Sequence, residues 1–189
     1  MNPSTISTSI RATLADLAKV PGKAELIGGR IVHFMATGFR PSRTAARIFQ
    51  SLDAYAEATG QGLAFTDNTG FAVAELSSGR ESFSPDAAYY VGPVPDDLMD
   101  FIEGAPTLAV EVRSKGDYGP AAEREIAAKR ADYFEAGTAA VWDVDPRAEV
   151  VMAYEVANPD RPTTFARGEI AAAESAVPGW RLAVDRIFG

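Results

Sequence analysis

TLAVEV at residues 107–112 and AAVWDV at residues 139–144 are two short, almost wholly apolar runs of the chain. Runs of this length and composition are typical of strands that are buried on both faces of a sheet. Between them a helix pattern covers residues 120–136, with Pro120 at its start and Gly137 directly after its end. A strand, a helix and a second strand in this order predict a right-handed crossover that joins two parallel strands.

Antiparallel elements are predicted on both sides of this unit. Residues 24–35 hold two apolar runs split by Gly28 and Gly29, which predicts a hairpin. Periodicity predicts further helices at 13–19 and 42–59, and strands at 63–66, 71–76, 86–91 and 149–156. Residues 92–106 form a proline-rich loop region with some helical character. The sequence therefore predicts an α/β fold, a mixed β-sheet flanked by helices.

Length and composition limit the class of protein. The 189 residues suit a single domain over 1–189, with residues 1–12 as a flexible N-terminal segment. The chain has no cysteine and one histidine, His33, which excludes disulfide scaffolds, cysteine nucleophiles and zinc sites built from several histidines. No apolar stretch approaches the roughly 18 residues of a membrane span, and no secretory signal is seen. These features favour a cytoplasmic protein.

Charge is unevenly distributed along the chain. Residues 1–50 hold seven bases and two acids, a net charge of +5, so the remaining residues carry −13 of the total of −8. From Glu81 to Glu111 there are seven acids and no base. This asymmetry fits a basic binding face opposite an acidic site that attracts cations, and it fits a solvated acidic loop equally well.

Three polar residues interrupt the apolar pattern. Asp86 opens a predicted strand, Glu111 lies inside the apolar run 107–112, and Lys129 lies on the helix between the two central strands. Two carboxylates on adjacent strands suit a hard divalent cation, and a nearby lysine can hold or deprotonate an attacking water. The structural alternative is that Glu111 pairs with Arg113 or Lys115, which alternation places on the same side of the strand.

Several segments in this order resemble a known family. They are Glu25–Val32, Ser84–Tyr89, Ala105–Val112, Lys129–Gly137, Val141–Pro146 and Val177–Trp180. The segment with Pro85-Asp86 is similar to the "PD" half of the PD-(D/E)XK nuclease motif, and the segment with Glu111 resembles the acidic strand that follows it. Over residues 13–189 the chain resembles the Uma-two family of restriction-endonuclease-like proteins.

The resemblance implies roles for individual residues. The family's metal-binding acids fall on Asp86 and Glu111, which implies Mg²⁺ or Mn²⁺ as cofactor. The lysine of the motif falls on Lys129 of the following helix, and Glu25 is a candidate additional acid. The chain departs from the motif two residues after Glu111, where the (D/E)XK pattern has its lysine on the strand itself. Here that position holds Arg113, which can bind phosphate but is a poor base.

The resulting leading hypothesis is a Mg²⁺-dependent endonuclease that hydrolyses DNA phosphodiester bonds. Arg40, Arg43 and Arg47 share a helix face and, with Lys115, are candidate contacts to DNA phosphates. A homodimer is expected, because similar nucleases often pair to address two strands. One alternative is a catalytically silent dimeric binding protein that retains the fold, and another is an ordinary α/β domain whose acids are structural.

Overall fold

The computed structural model describes residues 11–189. The helices of this part are α1 (Leu14–Leu17), α2 (Phe39–Thr59), α3 (Pro120–Glu135) and α4 (Val184–Phe188). The strands are β1 (Ala24–Ile27), β2 (Arg30–His33), β3 (Leu63–Thr66), β4 (Phe71–Ala72), β5 (Ser82–Phe83), β6 (Ala87–Tyr90), β7 (Ile102–Glu103), β8 (Leu108–Val112), β9 (Ala140–Asp145), β10 (Val150–Glu155), β11 (Asn158–Phe165), β12 (Ile170–Ala172) and β13 (Arg181–Ala183).

A six-stranded mixed sheet is the centre of the fold. Its strand order is β11-β10-β9-β8-β6-β3, and β8 and β9 pair in parallel while their neighbours are antiparallel. Helix α3 connects β8 to β9, so the predicted crossover between parallel strands is confirmed. The small sheets β1-β2, β12-β13 and β5-β4-β7 lie outside the central sheet.

Alternation along β8 sends side chains to two different cores. Leu108, Val110 and Val112 belong to the core beneath α2 and α4, which also contains the tilted pair Trp142 and Trp180, 4.9 Å between ring centroids. Replacing a buried tryptophan such as Trp142 by alanine costs about 3–5 kcal/mol. Ala109 lies on the other face, in the core that contains Tyr133 of α3, and Glu111 follows it there.

Three differences from the sequence prediction have a reason in the structure. Helix α2 begins at Phe39 instead of residue 42, because Pro41 is tolerated in a first turn whose N–H groups have no intrahelical partner. The strand expected at 71–76 is reduced to β4, since residues 73–76 fold back on 80–81. The loop region 92–106 contains β7 in place of a helical turn.

Strand β11 was not predicted from the sequence. Its residues are polar and include Pro159 and Pro162, which argue against a strand in the interior of a sheet. Because β11 is the edge strand of the central sheet, its free side tolerates proline. The position in the sheet therefore explains why a polar, proline-containing segment is extended.

The expected flexible segment 1–12 lies outside the described residues except for its last two. The Ala12 N–H donates to the Gly29 carbonyl, and the Arg11 guanidinium pairs with Glu75 and Glu81. Among residues 11–189, no helix is both long and apolar enough to cross a membrane.

Candidate active site

Strand pairing places Asp86 and Glu111 directly opposite one another. The antiparallel register of β6 and β8 joins Ala87 to Val110, so the next pair along is Asp86 and Glu111. The Asp86 N–H donates to the Val110 carbonyl at 3.0 Å, and the Val112 N–H donates to Asp86 Oδ2 at 2.7 Å. The sheet backbone therefore fixes both acids at one position.

The same register continues into a row of acids across four strands. The pairing of β3 with β6 joins Thr66 to Ala87, so Asp67 stands opposite Asp86. On the other side, the parallel pairing of β8 with β9 joins Glu111 to Asp143. Four carboxylates on neighbouring strands repel one another unless cations separate them, and the structure supplies a different cation at each end of the row.

Lys129 holds Glu111 from helix α3. Its Nζ is 2.9 Å from Glu111 Oε1 and 3.0 Å from Glu25 Oε1. Tyr133, one turn later on the same helix face, donates its hydroxyl to Glu111 Oε1 at 2.6 Å. The Lys129 and Glu111 side chains are 17% and 26% exposed, so both still reach solvent.

Glu25 is the fully buried member of this cluster. Its carboxylate accepts hydrogen bonds from the Arg80 guanidinium and, at 3.0 Å, from the Ser84 N–H. Burial acts to raise the pKa of Glu25, but Lys129 and Arg80 together bring it below the ordinary value. Arg80 is itself held by Asp132 at 2.8 Å. The structure therefore brings Glu25 together with Lys129 and Glu111, and the buried Glu25 carboxylate holds the Lys129 amine.

Lys23 is a site residue that the sequence reasoning missed. Its Nζ lies 2.6 Å from Asp86 Oδ1 and 2.7 Å from Asp67 Oδ1, so Lys23, and not Lys129, neutralises Asp86. Lys23 precedes β1 by one residue and shares the strand side of Glu25 by alternation. The two-residue spacing between Lys23 and Glu25 was the signal available in the sequence. It could not show that Asp86 lies within ion-pair distance of Lys23.

The two lysines are ammonium groups in this environment. Burial acts to lower the pKa of Lys23, but Asp86 and Glu111 raise it above the ordinary value overall. Burial acts on Lys129 in the same way, and Glu111 and Glu25 raise its pKa above the ordinary value. Burial raises the pKa of Glu111, and the neighbouring charge of Asp86 adds to this effect. Lys129 is therefore placed as a hydrogen-bond donor to Glu111 and Glu25.

Arg113 lies on the same side of β8 as Glu111 but belongs to a separate ion-pair network. Its Nε and Nη2 are each 2.7 Å from the two carboxylate oxygens of Asp143, and Nη2 is 3.0 Å from Glu123 Oε2. The structure does not bring Arg113 to Asp86. Lys115, in the loop after β8, is exposed.

The three arginines of α2 have different environments. Arg40 is exposed and pairs with Glu149, whereas Arg47 donates to the Ile187 carbonyl at 3.2 Å and is half-buried. Arg43 is exposed. The predicted common face is thus divided, and Arg43 is the member that presents its charge most openly.

The donor set around Asp86 and Glu111 fits a hard divalent cation. The five acids Asp67, Asp86, Glu111, Glu25 and Asp132 face the three cations Lys23, Lys129 and Arg80, which leaves a charge of 3 − 5 = −2. The contacts of Glu111 within residues 11–189 all use Oε1 and leave Oε2 available. In this part of the chain no three metal-ligating side chains converge. Two carboxylates completed by water or substrate oxygens suit Mg²⁺, which seldom has a cage made wholly of protein ligands.

An open cleft borders two of these acids, Asp67 and Asp86. They line it on one side, and Pro41, Ser42 and Phe49 of α2 line it on the other. Asp67 and Asp86 are therefore accessible to a ligand that approaches along the N-terminal half of α2.

The sequence model of the Uma2 family, described as putative restriction endonuclease, matches residues 13–185. The chain belongs to the Uma2 family. The family resemblance inferred from the sequence is thereby confirmed. Because the family is restriction-endonuclease-like, membership supports a nuclease-like function, and families of this kind generally use divalent metals.

A solved structure has the same fold. The crystal structure of a putative nuclease belonging to DUF820 from Anabaena variabilis superposes with a TM-score of 0.71 at 18% sequence identity. The alignment covers 93% of this Uma2 chain and 97% of the other. The likeness confirms the predicted mixed sheet flanked by helices. No curated protein matches the chain.

Proposed function

We propose that this Uma2 protein is a Mg²⁺- or Mn²⁺-dependent endonuclease that hydrolyses DNA phosphodiester bonds at the cleft of Asp86 and Glu111. The observation that carries the proposal is that two acids from neighbouring strands lie opposite one another, each held by one lysine amine. Metal-dependent hydrolysis of a phosphodiester requires this combination of carboxylates for a cation and fixed positive charge for phosphate.

Asp86 and Glu111 would hold the cation. When bound, a divalent cation lowers the pKa of water and neutralises charge on a phosphoryl oxygen. The excess charge of −2 around the two acids supports binding of one such ion. Asp86 Oδ2 stays hydrogen-bonded to the Val112 N–H, so Oδ1 and Glu111 Oε2 are the oxygens that remain for the ion once Lys23 moves aside.

Lys129 would orient the reacting groups as a donor. An ammonium group has three N–H donors, and Glu25 and Glu111 take two of them. The third can donate to a water or to a phosphate oxygen beside Glu111. Glu25 then acts as a positioning residue, because its buried carboxylate holds the Lys129 amine at the site.

DNA as substrate and a homodimer as assembly belong to the same proposal. The positive charge of residues 1–50 supports attraction to phosphates, and the exposed Arg43 and Lys115 are the proposed contacts that remain most open. Arg40 and Arg47 would contribute only by leaving their present partners. Pairing of two chains would bring two such basic regions, each +5 by residue count, to one cleft.

A plasmid-nicking assay tests the proposal. We expect supercoiled DNA to be nicked with Mg²⁺ or Mn²⁺ and to stay intact in EDTA, and we expect Asp86→Asn and Glu111→Gln to abolish nicking. The matched control is Glu123→Gln, which removes a carboxylate charge from α3 outside the cleft and should leave nicking unchanged. Nicking that persists in EDTA or in both acid variants would contradict the proposal.

A catalytically silent DNA-binding protein is the second candidate. It is favoured by one observation, the Arg113 guanidinium, which occupies the lysine position of the family motif and is fully engaged by Asp143 and Glu123. Metal-independent DNA binding without nicking under any divalent metal would decide for this candidate.

A further inference from the structure

A stretch of the sequence that contains bases but no acid includes four exposed apolar side chains. From Leu26 to Leu52 the chain contains four arginines and no acid. Within it, Val32, Phe34, Met35 and Phe39 are 37%, 39%, 93% and 86% exposed, and we call these four residues the apolar rim. Large apolar groups this open to water mark a binding surface when they lie together.

The apolar rim borders the site through Phe34 and is close in sequence to residues that line the cleft. The Phe34 ring centroid is 5.4 Å from Lys129 Nζ, and Val32 stands opposite Glu25 in the β1-β2 register. Thr37 and Pro41, which line the cleft together with Asp86, lie within two residues of Met35 and Phe39. Met35 and Phe39 therefore flank the segment that lines the cleft at the start of α2.

The chemistry of this surface fits unpaired nucleotides. Bases without a partner expose flat apolar faces that stack on aromatic side chains, whereas a duplex covers these faces by its own stacking. Arg30 and Arg43 are exposed in the same region and offer charge to the phosphates between such bases. We propose that the apolar rim binds the unpaired bases of single-stranded DNA and delivers that strand to the cleft, an inference that rests on the proposed nuclease function.

A second copy of this chain fits the rim less well. Two rims placed face to face would bring the exposed Arg30 and Arg43 of both chains close to one another, and like charges across an interface are repulsive. A polyanion with apolar bases satisfies both the charge and the apolar surface.

The chain provides a matched control surface. Leu98 and Met99 are 77% and 90% exposed, close to the values for Phe39 and Met35. They lie between Asp97 and Asp100, in the stretch from Glu81 to Glu111 that contains no base. The double variant L98A/M99A therefore removes a similar exposed apolar area from an acidic surface.

Fluorescence anisotropy in EDTA tests the inference apart from cleavage. The probes are a labelled single strand of about 20 nucleotides and the corresponding duplex. We expect wild-type protein to bind the single strand more tightly than the duplex. M35A/F39A should weaken single-strand binding by about tenfold or more, since base stacking is lost, and should change duplex binding by less than about twofold. L98A/M99A should bind both probes like the wild type.

Three binding results would overturn the inference. The first is wild-type protein that does not prefer the single strand over the duplex. The second is equal affinity of M35A/F39A and wild type for the single strand. The third is a loss of single-strand affinity in L98A/M99A that equals the loss in M35A/F39A. Circular dichroism checks that both variants remain folded. Light scattering that shows a wild-type dimer split by M35A/F39A, with DNA affinity unchanged, would assign the rim to self-association and also overturn the inference. Because no divalent metal is present, single-strand binding can hold while the nicking assay fails, and the reverse.

Discussion

Glu111 and Arg113 lie two residues apart on one side of β8, yet they belong to ion-pair networks of different kinds. Arg113 engages both oxygens of Asp143 with two guanidinium nitrogens at 2.7 Å, and the two side chains are only 9% and 3% exposed. Glu111 is held by a single lysine nitrogen and a tyrosine hydroxyl, both on the same oxygen, and is 26% exposed. In the Arg113 network both oxygens of Asp143 are paired, and we call it the closed network. In the Glu111 network Oε2 of Glu111 stays available, and we call it the open network.

The difference follows from the cation in each network. A guanidinium presents a planar fork that matches both oxygens of a carboxylate, whereas an ammonium group is a compact charge that neutralises an acid without covering it. Lysines therefore pair with Asp86 and Glu111 without covering Glu111 Oε2. The row of acids across the sheet thus contains ion pairs of both kinds.

The largest effect is expected from a substitution that breaks the closed network. Asp143→Asn leaves Arg113 without its buried charged partner, and removing one member of a buried ion pair costs about 3–5 kcal/mol. Urea denaturation measures this free energy of unfolding. Glu123→Gln removes the more exposed partner of the same arginine and should cost less than about 1 kcal/mol. Equal losses in the two variants would show that the network is not centred on Asp143.

The next effect concerns the open network. Lys129→Met should lower the free energy of unfolding by about 1–3 kcal/mol, because Glu111 and Glu25 lose a shared donor. Added Mn²⁺ should restore part of this loss, since a cation replaces the missing charge. Urea denaturation with and without Mn²⁺ measures both changes. The same measurement on Asp143→Asn is the control, and rescue there as well would indicate a general effect of the metal.

Lys23 provides a finer test of the open network. Lys23 occupies Asp86 Oδ1, so Lys23→Met should raise the affinity for Mn²⁺ by about tenfold, or ~1.4 kcal/mol. Isothermal titration calorimetry measures this change, and Lys19→Met, which removes an exposed lysine near α1, is the control. A fall in affinity would mean that Lys23 helps to hold the cation instead of competing with it.

The smallest expected effect is a pH dependence at Tyr118, whose ring lies beside Arg113 of the closed network. Burial and the Asp145 carboxylate, which accepts the Tyr118 hydroxyl at 2.9 Å, raise the pKa of Tyr118 to about 12. The folded-state pKa is above the unfolded value of about 10, so this stabilisation is complete below pH 10 and is lost as the pH rises through 12. The tyrosinate absorbance of wild type minus Tyr118→Phe should titrate near pH 12. Titration near pH 10 would contradict the burial and hydrogen bond of this hydroxyl.

The sequence predicted the elements that have clear periodicity and missed those whose form depends on neighbours. The parallel unit of β8, α3 and β9 has continuous apolar runs and clear helix ends, so it was predictable. β11 is extended only because it pairs at a sheet edge, where its prolines are tolerated.

The candidate site was predictable to a similar degree. Asp86, Glu111 and Lys129 were found because charged residues in apolar segments stand out and because they match a family motif. Lys23 and Asp67 lie outside strands in polar surroundings, and only the pairing of β3, β6 and β8 brings them to Asp86. Contacts between residues far apart in the chain leave little local signal, which is why this half of the site was missed.

The central claim is that Asp86 and Glu111 hold a divalent cation while the network of Arg113, Asp143 and Glu123 does not. Calorimetric titration of Mn²⁺ into wild type, Asp86→Asn, Glu111→Gln and Glu123→Gln tests it most directly. We predict one Mn²⁺ per chain in the wild type and in Glu123→Gln, and loss of binding in Asp86→Asn and Glu111→Gln. Unchanged Mn²⁺ affinity in both Asp86→Asn and Glu111→Gln would contradict the account.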